Sequence, residues 1–393
     1  MGAGPEPYSV LMVTEYAPAR GGTVTQSRLH ARELRRNGRN VLILTRRLRG
    51  ATGSGRTDGV TVRRLGIPGS GRLAKLCHLG AGWLWLARHK REVRAVNVML
   101  DADFAIAARL AGLGDLVIMT WVTRGDAPRL LGGLAGLARK ALLRSVQHVV
   151  LTPSMENELH SLNVAHVSVV PVPVDTSWFH VPTETERSTA RRSLGVSSGT
   201  VVLFVGHLTP RKGVERLVEA VAQLSEPEGG VRLFIVGGPP RAPDRAYAEQ
   251  LLQEVERRLG SWAVFWGPRD DVRPFFHAAD IFCLPSYSEG MPNCLLEAMA
   301  SGVACVAPPS AGGAELLGGN LGVVPPSNSP EDLRMALAYL IEHAEERLAM
   351  GSMASGAVQV ANRPERAVAL YEALWDWDRT VAAARNGGAA SKG

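Results

Sequence analysis

Apolar runs alternate with segments of helical spacing along most of this chain, a rhythm that predicts a parallel α/β architecture. In the first half, Ser9 to Tyr16, Val41 to Thr45, Val60 to Leu65, Leu116 to Trp121 and His148 to Ser154 read as strands. Thr25 to Asn37 carries helical spacing and is closed by Gly38. Arg46 to Gly59, rich in Arg, Gly, Ser and Thr, reads as an exposed loop. Val167 to Asp175 leads out of this half, and Phe179 to Ser198, with Pro182 and many polar residues, reads as a linker. In the second half the strands fall at Val201 to Val205, Val231 to Val236, Ala263 to Phe265, Ala279 to Pro285 and Val303 to Ala307. Helices are expected at Val214 to Leu224, Asp244 to Leu259, residues 330–349 and Glu365 to Arg385. Sheets of this kind hold ligands outside the carboxyl ends of their strands.

Residues 72–94 leave two readings open. Arg72, Lys75, Arg88, Lys90, Arg91 and Arg94 are interleaved with Leu73, Leu76, Leu79, Trp83, Leu84, Trp85 and Leu86. That pattern suits a basic amphipathic surface meeting an anionic membrane. It equally suits an ordinary amphipathic helix with its apolar stripe in the core.

The candidate chemistry concentrates in Ser286 to Gly302 (SYSEGMPNCLLEAMASG), a turn and helix between two apolar strands. Pro292 suits the first helical position and Gly302 the left-handed residue just past the end. The helix start, around Gly290, Met291, Pro292, Asn293 and Cys294, would present N–H groups and the positive end of the dipole, which favours an anion such as phosphate. Glu289 lies in the turn and Glu297 more than a turn into the helix. Carboxylates beside a phosphate are best used on hydroxyls, as in a sugar nucleotide with its sugar at one acid and its ribose at the other. The ordinary reading of such a pair is a turn Glu and a solvated helix Glu. Upstream, Gly206-His-Leu-Thr-Pro-Arg-Lys-Gly213 follows a strand, so Arg211 and Lys212 stand beside another helix start. Charge-assisted bonds from such cations to phosphate are roughly twice as strong as neutral ones.

Glu289, seven residues and Glu297, followed by Ala298-Met-Ala-x-Gly302, resemble the donor signature of family-4 retaining glycosyltransferases of the GT-B fold. Gly21-Gly22 after the first strand resembles that family's N-terminal glycine loop, and Ala311 to Glu315 the loop after the signature strand. The resemblance implies an α/β protein of two Rossmann-like domains facing a central cleft, with the last helix returning to the first. The expected boundaries are 1–180 for the acceptor domain, 181–365 for the nucleotide-sugar domain, 366–385 for the returning helix and 386–393 for a disordered tail. It further implies transfer of a hexosyl or N-acetylhexosaminyl unit, with retention, from a UDP-linked sugar to an acceptor hydroxyl. Glu289, Arg211 and Lys212 would be catalytic, and Gly21, Gly22, Asp126, His207, Gly290 to Cys294 and Glu297 would bind substrates. No metal or other cofactor is expected, since protein cations would neutralise the donor phosphates. Relatives commonly have Arg where His207 stands, and many have a His near residue 122, where none occurs between His89 and His148. Arg124 and Asp126 are candidate acceptor contacts there. Asp101-Ala-Asp103 matches the metal-binding Asp-x-Asp of the other main glycosyltransferase fold, a spacing common by chance.

The 393 residues allow two or three domains, and no apolar run approaches the ~20 residues of a membrane span. The N-terminus lacks the order of a signal peptide, and Cys77, Cys283, Cys294 and Cys305 lack zinc spacing. A cytoplasmic location, with a candidate peripheral contact at the inner face of the membrane, is therefore expected. Residues 1–180 hold 24 Lys and Arg against 12 Asp and Glu, and the remainder 20 against 25. The basic half invites an anionic partner, but no nucleic-acid reader motif accompanies it. The expected partners are a nucleotide sugar and a small-molecule or lipid-linked acceptor. A GT-B sugar-nucleotide epimerase is the alternative, although no acid/base set for it is visible. A dehydrogenase would need Gly-x-Gly-x-x-Gly after a strand, which is missing, and the intact acid and cation pairs argue against an inactive binding subunit.

Overall fold

The computed structural model describes residues 6–17, 21–47, 54–69, 71–99, 101–123, 125–224, 230–240 and 242–389. The chain divides into a first unit of Met1–Pro173 with Pro364–Gly393 and a second of Val174–Arg363.

The first unit is built on β1 (Tyr8–Val13), β2 (Asn40–Arg46), β3 (Gly55–Thr57), β4 (Val60–Leu65), β5 (Val93–Met99), β6 (Val117–Thr120), β7 (Gln147–Val150) and β8 (Val167–Val169). Their order in the sheet is β3-β4-β2-β1-β5-β6-β7-β8, and every pair but β3-β4 is parallel. The chain leaves β1 to one side for β2 and later returns on the other side for β5, a topological switch of the kind that creates a crevice.

Two of these strands correct the sequence reading. β3 lies inside the expected loop 46–59 and pairs antiparallel with β4 around Asp58-Gly59, both at positive φ (55° and 73°), the Asp-Gly hairpin turn. β5 replaces the end of the expected helical stretch 72–94: α2 (Arg72–His89) stops at a short 3₁₀ turn, and Val93, Val96 and Val98 enter the middle of the sheet.

α1 (Gly22–Arg36) crosses the sheet and meets the last helix, Pro364–Ala389, whose Ala367, Val368, Tyr371 and Trp375 join Leu11, Leu34, Ile43 and Ile118 in one core. Arg39 and Glu372 add an ion pair at 2.6 Å. The returning helix thus completes the first unit's core. It runs to Ala389, past the expected end at Arg385 and into the expected tail. Residues 390–393 of that tail lie outside the described residues.

The second unit holds β9 (Thr200–Val205), β10 (Val231–Val236), β11 (Ala263–Gly267), β12 (Ile281–Cys283) and β13 (Ala304–Val306), in the order β11-β10-β9-β12-β13 and parallel throughout. The expected linker 179–198 contains a helix, Glu184–Ser193, opened by a capping box between Thr183 and Glu186. The expected helix 330–349 is two, Pro330–Glu342 and Ala344–Ala361, broken at His343. No helix among the described residues is long and apolar enough to cross a membrane.

Candidate functional site

β9 and β12 are hydrogen-bonded neighbours, so the loops leaving their carboxyl ends, about 80 residues apart in sequence, meet. One is Gly206–Gly213 and the other Leu284–Pro292, leading into the helix Asn293–Ala300. Their backbones are stitched together. Tyr287 N–H donates to the Arg211 carbonyl (2.9 Å), and the Arg211 guanidinium donates to the Ser288 carbonyl. Gly213, at φ +62°, lets the two loops approach closely: a Cβ there would lie 2.4 Å from the Pro285 carbonyl oxygen. From the other side Ser310, in the loop after β13, accepts from Glu289 N–H through its carbonyl (3.0 Å) and donates its hydroxyl to the Ser286 carbonyl (3.0 Å).

This scaffold fixes a three-membered charge cluster. The Glu289 carboxylate lies 2.7 Å from Lys212 Nζ and 2.9 Å from Arg211 Nη1. Glu289 and Lys212 are nearly enclosed, with side chains 9% and 10% exposed, whereas Arg211 is 54% exposed. Burial would push the Glu289 carboxyl up, but the Lys212 and Arg211 cations outweigh it and hold it below the usual carboxylate range. Glu297 lies one face along the helix without such cations, and burial pushes its carboxyl up to about 7. Burial likewise pushes the Cys294 thiol up to about 12, with Lys212 opposing and the charges of Glu297 and Glu289 adding to the rise. Cys294 therefore sits among all three.

The helix start differs in one detail from expectation. Pro292 precedes the helix rather than opening it, in extended backbone, with its carbonyl accepting from Leu295 N–H at 3.1 Å. Pro φ suits either position, and here the carbonyl begins the helical ladder. No side chain caps this helix. Met291, Asn293 and Cys294 are half-buried around its start, as is Gly290 just before them, and His207 is exposed on the neighbouring loop. Gly302 ends the helix at φ +71°. The expected loop at 311–315 instead carries a short helix, Gly313–Leu316.

The structure thus brings together Arg211, Lys212, Glu289, Cys294 and Glu297 within the second unit. Gly21, Gly22 and Asp126 belong to the first. Gly21 (φ +142°) precedes α1, and a Cβ there would meet nothing within 4 Å. Asp126 opens the helix Asp126–Leu131 and pairs with Arg129 at 3.0 Å. Arg124 lies outside the described residues. Asp101 and Asp103 ion-pair with Lys75 at 3.2 and 2.8 Å, and Asp101 also accepts from Asp103 N–H at a helix start. Those roles account for the Asp-x-Asp. Near the absent family histidine, the Trp121 indole N–H donates to His148 Nδ1 (2.9 Å), and burial holds His148 down at about 4, so it stays neutral.

Sequence reasoning missed the positioning roles of Ser310, Gly213 and Tyr287, whose partners are backbone carbonyls and amides that no side-chain pattern marks. It also missed a cavity of about 20 Å³ at the carboxyl ends of the first unit's strands, lined by Gln26, His30, Thr120 and Tyr371 among others. Thr120 Oγ1 there bridges Asn97 (2.8 Å) and the Tyr371 hydroxyl (3.1 Å).

Residues 199–343, which include the cluster and both strand-end loops, match the family described as glycosyl transferases group 1. The chain carries a group 1 glycosyltransferase domain. The D-inositol 3-phosphate glycosyltransferase of Corynebacterium glutamicum (strain R) is 36% identical over 197 residues, 47% of this chain and 46% of that protein. Its namesake from Mycobacterium sp. (strain KMS) is 30% identical over 234 residues, 57% and 48% of the two chains. The matches therefore span about half the length of these relatives. Among solved structures, sucrose-phosphate synthase from Thermosynechococcus elongatus superposes with a TM-score of 0.79 at 20% identity, over 96% of this chain and 100% of that one. Anabaena Alr3699/HepE in complex with UDP and glucose gives 0.74 at 17% identity, over 93% and 98%. These likenesses establish the glycosyltransferase GT-B fold expected from the sequence.

Proposed function

We propose that the protein transfers a hexosyl unit from a nucleotide diphosphate sugar to an acceptor hydroxyl with retention of anomeric configuration, and that UDP is the carrier. The observation that carries this reading is the Arg211–Glu289–Lys212 cluster beside the uncapped start of the helix Asn293–Ala300. A diphosphate placed there meets two cations and the positive end of a helix dipole. In the proposed step the bond from the anomeric carbon to the β-phosphate oxygen breaks. The acceptor oxygen bonds to that carbon on the same face, and its proton passes to the departing phosphate oxygen. Lys212 and Arg211 stabilise the charge growing on that leaving group, and these protein cations make a metal unnecessary to the scheme. Glu289, released from them, accepts from sugar hydroxyls, and Glu297 accepts from the ribose. The UDP complex of a fold relative and the inositol phosphate named for the sequence relatives support a nucleotide-sugar donor and a cyclitol-phosphate-like acceptor. The setting that goes with this reading is the cytoplasm.

The epimerase alternative loses ground, because the domain match is to a transferase family. A thermal-shift panel of UDP-, GDP- and dTDP-sugars tests the donor reading, followed by acceptor screening with NMR assignment of the new anomeric centre. Absence of any shift, product formed from donor alone, or an inverted linkage would each overturn a named part of it.

A further inference from the structure

α2 packs on the first unit with an unexpected face. Its buried residues are Ala74, His78, Gly82, Trp85 and Leu86. Leu73 (67% exposed), Leu76 (65%), Trp83 (42%) and Leu84 (41%) point away from the protein. At about 100° per residue these four, with Gly80, fill an arc of roughly 100° centred opposite the buried face. The helix therefore has two apolar stripes, one in the core and one in solvent. Exposed Leu110 (63%) lies on the segment Arg109–Leu113 that packs beside α2 and adds to the outer apolar surface.

The charges around the outer stripe are predominantly positive, with Glu92 the acid next to the cluster at its far end. Exposed Arg72 flanks it at one end, and exposed Arg88, Lys90 and Arg91 follow at the other. Residues 59–91 contain seven Lys and Arg and no Asp or Glu. Lys75 is held by Asp101 and Asp103 (3.2 and 2.8 Å), so the free positive charge is concentrated at the helix ends. Large apolar side chains with a Trp, bordered by cations, are the make-up of a helix that lies in the plane of a membrane interface. Cations of this kind gain further from an anionic lipid surface. A second copy of the chain would instead bring Arg72 and the 88–91 cluster against their own likes.

We infer that the outer face of α2 docks the first unit on an anionic bilayer, with Leu73, Leu76, Trp83 and Leu84 at the acyl boundary and Arg72, Arg88, Lys90 and Arg91 among the headgroups. This docking names a partner for the transferase reading but does not depend on it, since binding is read without turnover. The test is co-sedimentation of the full chain with vesicles of phosphatidylcholine containing about 30% phosphatidylglycerol, and with pure phosphatidylcholine. Binding to the anionic vesicles, weakened by salt, is expected, with little on the neutral ones. Leu73→Glu/Leu76→Glu should lower binding at least about tenfold. Both residues are exposed, so the melting temperature and the nucleotide-sugar shift should hold. Loss of Trp83 through Trp83→Phe should remove most of the lipid-induced blue shift in emission. Failure to bind anionic vesicles, equal binding by the double variant, or a dimer in light scattering that the double variant dissolves would each overturn the inference.

Discussion

Replacing Glu289 by Gln should move donor binding and turnover in opposite directions. Its carboxylate engages both cations, at 2.7 Å from Lys212 and 2.9 Å from Arg211, which the proposed diphosphate needs. A pair at about 4 Å is worth about 4 kcal/mol at an effective dielectric of 20, before desolvation. Arg211 is half exposed, so its share falls to at most about 1 kcal/mol, while the enclosed Lys212 pair keeps most of its own. An arriving diphosphate replaces this internal anion and then lies near it. Without the carboxylate, UDP should bind more tightly, by on the order of 1–2 kcal/mol or about 5–30-fold. Turnover should nevertheless fall, because a charged acceptor for the sugar hydroxyls, worth about 1.5–3 kcal/mol, is lost. That is roughly a 10–150-fold decrease. Calorimetric titration of UDP into both proteins, beside steady-state rates, measures the two effects. The isosteric variant leaves Lys212 buried without its counter-charge, so its melting temperature should drop as well. Weaker UDP binding by Glu289→Gln, or unchanged turnover, would refute the reasoning.

Other perturbations have equally definite signs. Glu297, with its folded pKa at about 7 against 4.5 for an ordinary glutamate, binds more protons folded than unfolded, so stability should decline as pH rises through that window. Glu297→Gln should flatten the decline, by up to about 3 kcal/mol at the alkaline end, in melting curves taken against pH; parallel curves would contradict the burial argument. Gly213→Ala places a Cβ 2.4 Å from the Pro285 carbonyl at a positive φ. It should destabilise by about 1–3 kcal/mol and weaken UDP binding through the displaced loop, read by denaturant unfolding and titration. Trp375→Ala removes a nearly buried ring from the first unit's core and should cost about 3–5 kcal/mol; a variant melting like the parent would mean the last helix is not anchored there.

The cluster of Arg211, Lys212 and Glu289 at the strand ends was legible because its signals are local: acids and cations at fixed offsets from apolar strands. β5 was not, because Arg94 and Asn97 interrupt its valines and the charged stretch before it continues the helical pattern of α2. The outer stripe of α2 was ambiguous for a different reason. Hydrophobicity alone favours burying Leu73, Leu76, Trp83 and Leu84, yet the stripe of Ala74, His78, Gly82, Trp85 and Leu86 is the one that packs on the unit. The contacts made by Ser310 and Tyr287 depend on which strands become neighbours, information that resides in the topology rather than in either segment. The helix at Glu184–Ser193 could have been found from Thr183-x-x-Glu186 ahead of it.

Because Ala367, Val368, Tyr371 and Trp375 belong to the core of the first unit, the chain visits that unit twice, before Val174 and after Arg363. During synthesis the residues of the second unit have all left the ribosome before that last helix appears. The half begun first is thus completed last, and until then its sheet waits with an apolar face uncovered. A nascent chain of this design needs protection for the time it takes to make some 190 intervening residues.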